Sequence, residues 1–162
     1  MSPQRGAKRA LQHCPELAQA WEKAEFPQLV TRAEQENADL YFVDETAAQQ
    51  DSHWVRGYAP VGKKPVFEHL AHPPKVTMIS AINKEGKVQY ALYPGAINQD
   101  LFILFLEQMI ANANGRKVIL VVDNLRVHKV KLVTAWVKQH QSEIELVYLP
   151  PYCPQLNPVR RA

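Results

Sequence analysis

Apolar residues follow two different spacings along the chain, and each spacing predicts a type of element. Short continuous runs of apolar, aromatic or β-branched residues in "LYFV", "KVILVV" and "EIELVYLP" are typical of buried strands. The segment "KVTMISAINKEGKVQYALYPG" predicts a β-hairpin with its turn at residues 83–86. We expect the first strand and the two hairpin strands to be antiparallel neighbours.

Other segments carry apolar residues three and four positions apart, which predicts helices. Pro15 begins a first short helix, and a second follows an interruption at Phe26 and Pro27. The clearest helix is "NQDLFILFLEQMIANANG", which Asn98 caps and Gly115 follows. Its predicted buried stripe consists of Leu101, Leu104, Phe105, Met109 and Ile110. The segment "VHKVKLVTAWVKQH" predicts a further amphipathic helix between two strands.

The order of these elements is three strands, helix, strand, helix, strand. It predicts a mixed α/β sheet with helices packed on its faces. The apolar run at residues 118–122 suits a parallel strand that is covered on both faces. A length of 162 residues is enough for one domain with a core of its own.

Composition narrows the choice of function only slightly. The formal net charge is +3, and basic residues near both ends of the chain permit a polyanionic partner without establishing one. Cys14 and Cys153 have no zinc-site spacing, so a reduced pair is expected. No apolar run reaches the ~20 residues that span a bilayer. A Rossmann-like enzyme is disfavoured because no strand is followed by a glycine-rich phosphate loop.

Two predicted strands end in an acidic residue, Asp44 in "LYFVD" and Asp123 in "VILVVD". Either residue alone could simply cap a turn or a helix. If the two strands are adjacent, however, the carboxylates lie close together and repel unless a cation separates them or one is protonated. A hard divalent ion with oxygen ligands resolves that repulsion, and two-metal phosphoryl-transfer sites are built in this way.

Three blocks of the sequence, "YFVDET", "LVVDNLRVHK" and "YLPPYCPQLNP", resemble the signature blocks of DDE-type transposases. The resemblance is to bacterial insertion-sequence transposases related to Tc/mariner elements, and it covers the chain from about Ser2 onwards. It implies an RNase H-like α/β fold, with a mixed sheet and flanking helices, for residues 37–162. Residues 1–36 would form a linker and short helices.

The resemblance also implies functional residues. Asp44 and Asp123 would hold two Mg²⁺ or Mn²⁺ ions and drive DNA cleavage and strand transfer. Glu45 would point away from Asp44 across the strand, so that one of the two reaches the metals, and the family pattern favours Asp44. Asn124 and His128 match supporting positions; His128 would contact DNA or phosphate, or else hydrogen-bond the backbone.

Further supporting positions lie outside these acids. Asn157 precedes Pro158 in the third block, where the pair predicts the start of a helix. Arg56, with Lys63 and Lys64, is a candidate DNA contact. The expected partners are transposon-end and target DNA, and a second copy or a full-length transposase, with no membrane. The expected location is the bacterial cytoplasm, associated with the nucleoid.

The resemblance breaks at the third carboxylate, where this sequence has Arg160. A guanidinium stays protonated and cannot bind a cation. We also expect the chain to be truncated at both ends, without the final helix and without the family's N-terminal helix-turn-helix part. The main hypothesis is therefore a DDE catalytic domain with impaired chemistry.

Two other hypotheses stay open. In the first, Glu143 or Glu145, which border the last strand, replaces the lost carboxylate in an active metal nuclease. In the second, the chain is not an enzyme, and it binds DNA or a full-length transposase as an inhibitor. A metal-dependent nicking assay separates the first from the rest.

Overall fold

The fold is built on one five-stranded sheet. A computed structural model of the chain describes residues 15–49, 60–62 and 74–161, with the backbone alone at 49, 160 and 161. The strands are β1 (Asp39–Gln49), β2 (Lys75–Asn83), β3 (Val88–Pro94), β4 (Val118–Val122) and β5 (Ile144–Tyr148). Their order across the sheet is β3-β2-β1-β4-β5. β1, β2 and β3 pair antiparallel, as predicted, whereas β4 runs parallel to both β1 and β5.

Among the described residues, four α-helices accompany the sheet: α1 (Pro15–Ala20), α2 (Phe26–Gln35), α3 (Gln99–Asn112) and α4 (Lys131–Gln139). The predicted break at Phe26 and Pro27 is wrong, because a π-helical turn at Trp21–Glu25 joins α1 to α2 without leaving helical backbone. Proline lacks an N–H, and its ring collides with the carbonyl one turn earlier. A wider turn before Pro27 accommodates both effects.

The central strand β4 is covered on both sides, as its apolar run predicts. All five of its residues have no exposed surface. Val118, Leu120 and Val122 pack beneath α3 and α4, on what we call the α3 face. Ile119 and Val121 pack against Trp21 and Leu29 and their neighbours, on the opposite α2 face.

Helix α3 starts where the sequence predicts but buries only part of the predicted stripe, Phe105 and Met109. The Asn98 side chain accepts a hydrogen bond from the Leu101 N–H at 2.9 Å, and so caps the helix. Leu104, expected in the core, is 52% exposed. The fully buried residues are Phe102, Phe105, Leu106 and Met109. Their spacing of three, one and three residues is the regular spacing of one helix face.

Two predicted element boundaries need correction near the acids. β1 does not end at Asp44 but continues to Gln49, because its antiparallel pairing with β2 runs as far as Lys75. Its parallel pairing with β4 stops earlier, at Phe42 opposite Val121. The helix predicted from Val127 is also split. A 3-10 turn at Arg126–Lys129 precedes α4.

The predicted helix start at Asn157 and Pro158 is confirmed. The Asn157 side chain accepts a hydrogen bond from the Val159 N–H at 3.1 Å, and a 3-10 helix runs over Pro158–Arg161. Cys153, just before, is buried, while Cys14 lies outside the described residues. Within the described part of the chain, no helix is both long and apolar enough to cross a membrane.

Candidate active site

The strand register brings the two predicted acids to neighbouring strands. Asp44 and Asp123 each lie two residues beyond the last parallel pair, Phe42 with Val121. Paired strands are about 4.8 Å apart, so two positions with the same offset are neighbours at the carboxyl end of the parallel strands. The adjacency on which the two-metal hypothesis depends is therefore present.

Asp44 and Glu45 leave β1 on opposite sides, as alternation requires. Asp44 follows Leu40 and Phe42, which pack on the α2 face, and it is buried. Glu45 follows Val43, which packs on the α3 face, and its Oε1 lies 2.6 Å from Nε2 of His128. The two consecutive carboxylates thus belong to different layers of the molecule.

His128 is a buried polar residue within the α3 face. Its ring centroid lies 4.5 Å from that of Phe102. Its Nδ1 donates to the backbone carbonyl of Asp123 at 3.1 Å, since a carbonyl can only accept. Burial lowers the pKa of His128, but the hydrogen bond and charge of Glu45, with a contribution from Asp123, raise that pKa overall.

Asp123 is held by its own loop as well. Its Oδ1 accepts a hydrogen bond from the Leu125 N–H at 2.9 Å and lies 3.6 Å from Nδ1 of His128. One ligand atom each from Glu45, Asp123 and His128 lies within 4.8 Å of the others. This group offers two carboxylate oxygens, the kind of ligand that Mg²⁺ and Mn²⁺ favour, so the residues present fit such an ion, and Asp44, on the other side of β1, is not part of it.

Both predicted supporting asparagines brace the backbone around the acids. The Asn157 amide donates to the carbonyl of Val43 at 2.8 Å, directly before Asp44, and its side chain is almost wholly buried. The Asn124 amide donates to the carbonyl of Leu149 at 2.5 Å. These contacts tie the segment after β5 to β1 and to the end of β4.

Arg160 lies in the last 3-10 helix, which contacts β1 and β2. The position that matches the family's third carboxylate therefore belongs to a segment packed beside the acids. The candidate DNA contacts Arg56, Lys63 and Lys64 lie outside the described residues.

The hypothesis that Glu145 replaces the third carboxylate is wrong. Glu145 pairs with Ile119, four residues before Asp123, which is about 13 Å along the strands. It instead forms ion pairs with Arg32 at 2.6 Å and Lys117 at 3.1 Å. Glu143 precedes β5 and is farther still from the acids.

Sequence reasoning missed the groups that hold His128 in place. The Tyr148 hydroxyl donates to the carbonyl of His128 at 2.9 Å, and Phe102 covers its ring. Neither residue carries a motif, and both look like ordinary core residues of a strand and a helix. Sequence reasoning also missed a groove of about 660 Å³ that borders Asp44, lined in part by Met78, Tyr90 and Val159.

A family model described as DDE superfamily endonuclease matches residues 39–162, which is most of the chain. The chain belongs to this family. The matched region contains β1, β4 and the whole acidic site. The predicted DDE identity is thereby confirmed, while a bacterial source and the division at residue 37 stay predictions.

Solved structures support the fold. The chain is similar to the Mos1 mariner paired-end complex with Mn, at TM-score 0.55 and 19% identity, covering 98% of this chain and 50% of that one. The Mos1 paired-end complex with Mg is similar at TM-score 0.50 and 16% identity, covering 98% of this chain and 50% of that one. A simian T-cell lymphotropic virus intasome in complex with PP2A regulatory subunit B56 gamma is similar at TM-score 0.50 and 15% identity. That match covers 76% of this chain and 36% of the other.

These likenesses confirm the predicted RNase H-like fold, a mixed sheet with flanking helices. The chain spans about half the length of the Mos1 chains that it matches. Comparison of the sequence with curated proteins gives no significant match.

Proposed function

We propose that this DDE endonuclease domain carries the chemistry of DNA cleavage and strand transfer in transposition, with Asp44 and Asp123 as its metal ligands. The observation that carries the proposal is the register of β1 and β4, which gives both acids the same offset beyond the pair of Phe42 with Val121. The similarity of the chain to the Mos1 mariner paired-end complex with Mn supports both the DNA substrate and the metal.

In this proposal the chain's own residues hold the reacting groups in place. Asp44 and Asp123 supply oxygen ligands, and Asn157 fixes the β1 backbone directly before Asp44. A bound Mg²⁺ or Mn²⁺ pair would polarise the phosphodiester and activate water or a DNA 3′-hydroxyl for in-line attack. A homodimer or a full-length transposase is the proposed protein partner.

We further propose that Arg160 weakens this chemistry. Its position follows "LNP" in the third signature block, where the family carries a carboxylate. A permanent positive charge there removes one ligand and repels a cation. Loss of several kcal/mol of transition-state stabilisation would lower the rate by two or more orders of magnitude.

The test is nicking of supercoiled plasmid in Mn²⁺ by the wild-type chain and its variants. We expect Arg160→Glu to raise the nicking rate by about 100-fold over wild type. Adding Asp123→Ala to Arg160→Glu should return nicking to background, and Asp44→Ala should do the same. No gain from Arg160→Glu would contradict the impairment. Nicking that survives Asp123→Ala would contradict the whole site.

A non-catalytic role is the second candidate, and one observation favours it. The hairpin of β2 and β3 leaves Val88, Tyr90 and Leu92 between 55% and 60% exposed beside the acidic site. An exposed apolar patch of this kind is typical of a surface that binds a partner. Co-purification with a full-length transposase, lost on Tyr90→Lys, would support inhibition by binding.

A further inference from the structure

The spacing between Asp44 and Asp123 is not set by the sheet ladder alone. The last backbone pair between β1 and β4 joins Phe42 to Val121, and both acids lie beyond it. β1 continues as a strand, whereas β4 turns into a loop after Val122. Contacts beyond the ladder therefore contribute to the position of this loop relative to β1.

His128 connects this loop to β1 with both of its ring nitrogens. Nε2 lies 2.6 Å from Oε1 of Glu45 on β1, and Nδ1 donates to the carbonyl of Asp123 at 3.1 Å. Glu45 is the residue next to Asp44, so the imidazole connects the immediate neighbour of one acid to the backbone of the other. Both contacts of the imidazole have distances that are ordinary or short for hydrogen bonds.

The imidazole is itself fixed from two further elements. The Phe102 ring of α3 packs on the imidazole, and the Tyr148 hydroxyl of β5 donates to the backbone carbonyl of His128 at 2.9 Å. The side chain of His128 is 1% exposed and that of Glu45 is 7% exposed. Burying this polar pair costs desolvation free energy that apolar residues of similar size would not incur.

We propose that Glu45 and His128 are positioning residues, which together set the distance of Asp123 from Asp44. Both ring nitrogens of His128 and one oxygen of Glu45 are engaged in these contacts, so the pair acts through the placement of Asp123 rather than as ligands. The inference rests on the proposed function for its consequence, namely metal affinity, but its geometric part can be measured separately.

The first measurement is amide hydrogen exchange at Leu125, whose N–H donates to Oδ1 of Asp123 and so reports the placement of that carboxylate. In Glu45→Ala, we expect this amide to exchange about tenfold faster, because the bridge to His128 is lost. In Glu45→Gln, the change should stay below about threefold, since the amide group can still hydrogen-bond Nε2. Glu107→Ala, an exposed acid on α3, is the control for loss of charge.

Two outcomes of this measurement would overturn the proposal. One is an unchanged Leu125 exchange rate in Glu45→Ala. The other is an equal acceleration at Leu120 in the middle of β4, since that would report general destabilisation rather than movement of the Asp123 loop.

The second measurement is Mn²⁺ affinity, from electron paramagnetic resonance of the free ion. We expect Mn²⁺ to bind about tenfold more weakly to Glu45→Ala and less than about threefold more weakly to Glu45→Gln. Asp123→Ala should show no Mn²⁺ binding. Equal weakening in Glu45→Ala and Glu45→Gln without a change at Leu125 would make Glu45 a direct ligand and overturn its positioning role. If Leu125 responds and the wild-type chain binds no Mn²⁺, the positioning stands and the proposed function fails.

Discussion

The two halves of the sheet are built from similar residues but are covered differently. In the parallel half, every residue of β4 is completely buried, between helices on both faces. In the hairpin half, alternate residues of β3 are exposed, and Val88, Tyr90 and Leu92 are each more than half accessible. Both halves share β1, and Asp44 lies on this strand, where the coverage changes.

This difference teaches that apolar content alone does not report burial. The β4 run "VILVV" and the β3 run "VQYALYP" are both rich in apolar residues. A parallel strand inside the sheet has neighbours on both edges and helices on both faces. An antiparallel edge strand needs only one covered face, and here α3 provides it.

Truncation of one leucine in each half gives the largest test of this contrast. Leu120→Ala, in β4, should lower the free energy of unfolding by about 3 kcal/mol, because it leaves a cavity in a site with no exposed surface. In a chain of this size that lowers the midpoint of thermal unfolding by about 10 °C.

The matched variant is Leu92→Ala in β3, which is 59% exposed in the wild type. It should cost less than about 1 kcal/mol. Equal losses for the two variants would mean that the hairpin face is covered in solution, by a second copy or by another part of the protein. Chemical denaturation at two protein concentrations separates these two sources of cover.

Removal of one buried hydrogen bond gives a smaller effect. Asn157→Ala leaves the buried carbonyl of Val43 without its 2.8 Å partner and also removes the cap on Val159. We expect a loss of about 2 kcal/mol in urea denaturation.

Asn112→Ala is the counterpart on the hairpin side, where the exposed Asn112 amide donates to Gln89 at 2.7 Å. Its loss should cost under about 1 kcal/mol, since water can replace the lost partner. A cost for Asn112→Ala as large as that for Asn157→Ala would contradict the assignment of the tighter packing to the parallel half.

The smallest expected effect depends on pH and concerns the attachment of α2 to the parallel half. Burial would raise the pKa of Glu145, but its hydrogen bonds and ion pairs with Arg32 and Lys117 hold that pKa below its ordinary value of 4.5. A lowered pKa stabilises the fold above the unfolded value, and the gain is lost as pH falls through the folded value.

Glu145→Gln should therefore cost less than about 1 kcal/mol at pH 7, because these side chains are partly exposed and screened. The gap to wild type should close as the pH falls below 4.5. Thermal unfolding across this pH range measures it, with Glu107→Gln as the control. A gap that widens in acid would contradict the sign.

The sequence predicted most of this architecture, since its strongest signals are local. The run at β4, the hairpin and the caps at Asn98 and Asn157 each depend on a few neighbouring residues, and all were found where expected. The buried stripe of α3 is predicted only in part: Phe105 and Met109 are buried as expected, whereas Phe102 and Leu106 are buried in place of Leu101 and Leu104, which are equally apolar.

The candidate site could be predicted only in part. Asp44 and Asp123 stand out because each follows an apolar run, and the family blocks contain them. The contact of Glu45 with His128 joins residues 83 positions apart, and no pattern along the chain reports such a pair. The apolar run also predicts too short a β1, because the second half of this strand is largely polar and is held in the sheet by its pairing with β2.

The alternation of Asp44 and Glu45 on β1 has a consequence for how the gene can change. Codons for the apolar residues before them can be exchanged for other apolar codons without moving either acid to the other face. One inserted or deleted codon between Tyr41 and Asp44 would exchange the two acids between faces, given that strand side chains alternate with a period of two. This short stretch of the gene therefore tolerates apolar point substitutions far better than the insertion or deletion of one codon.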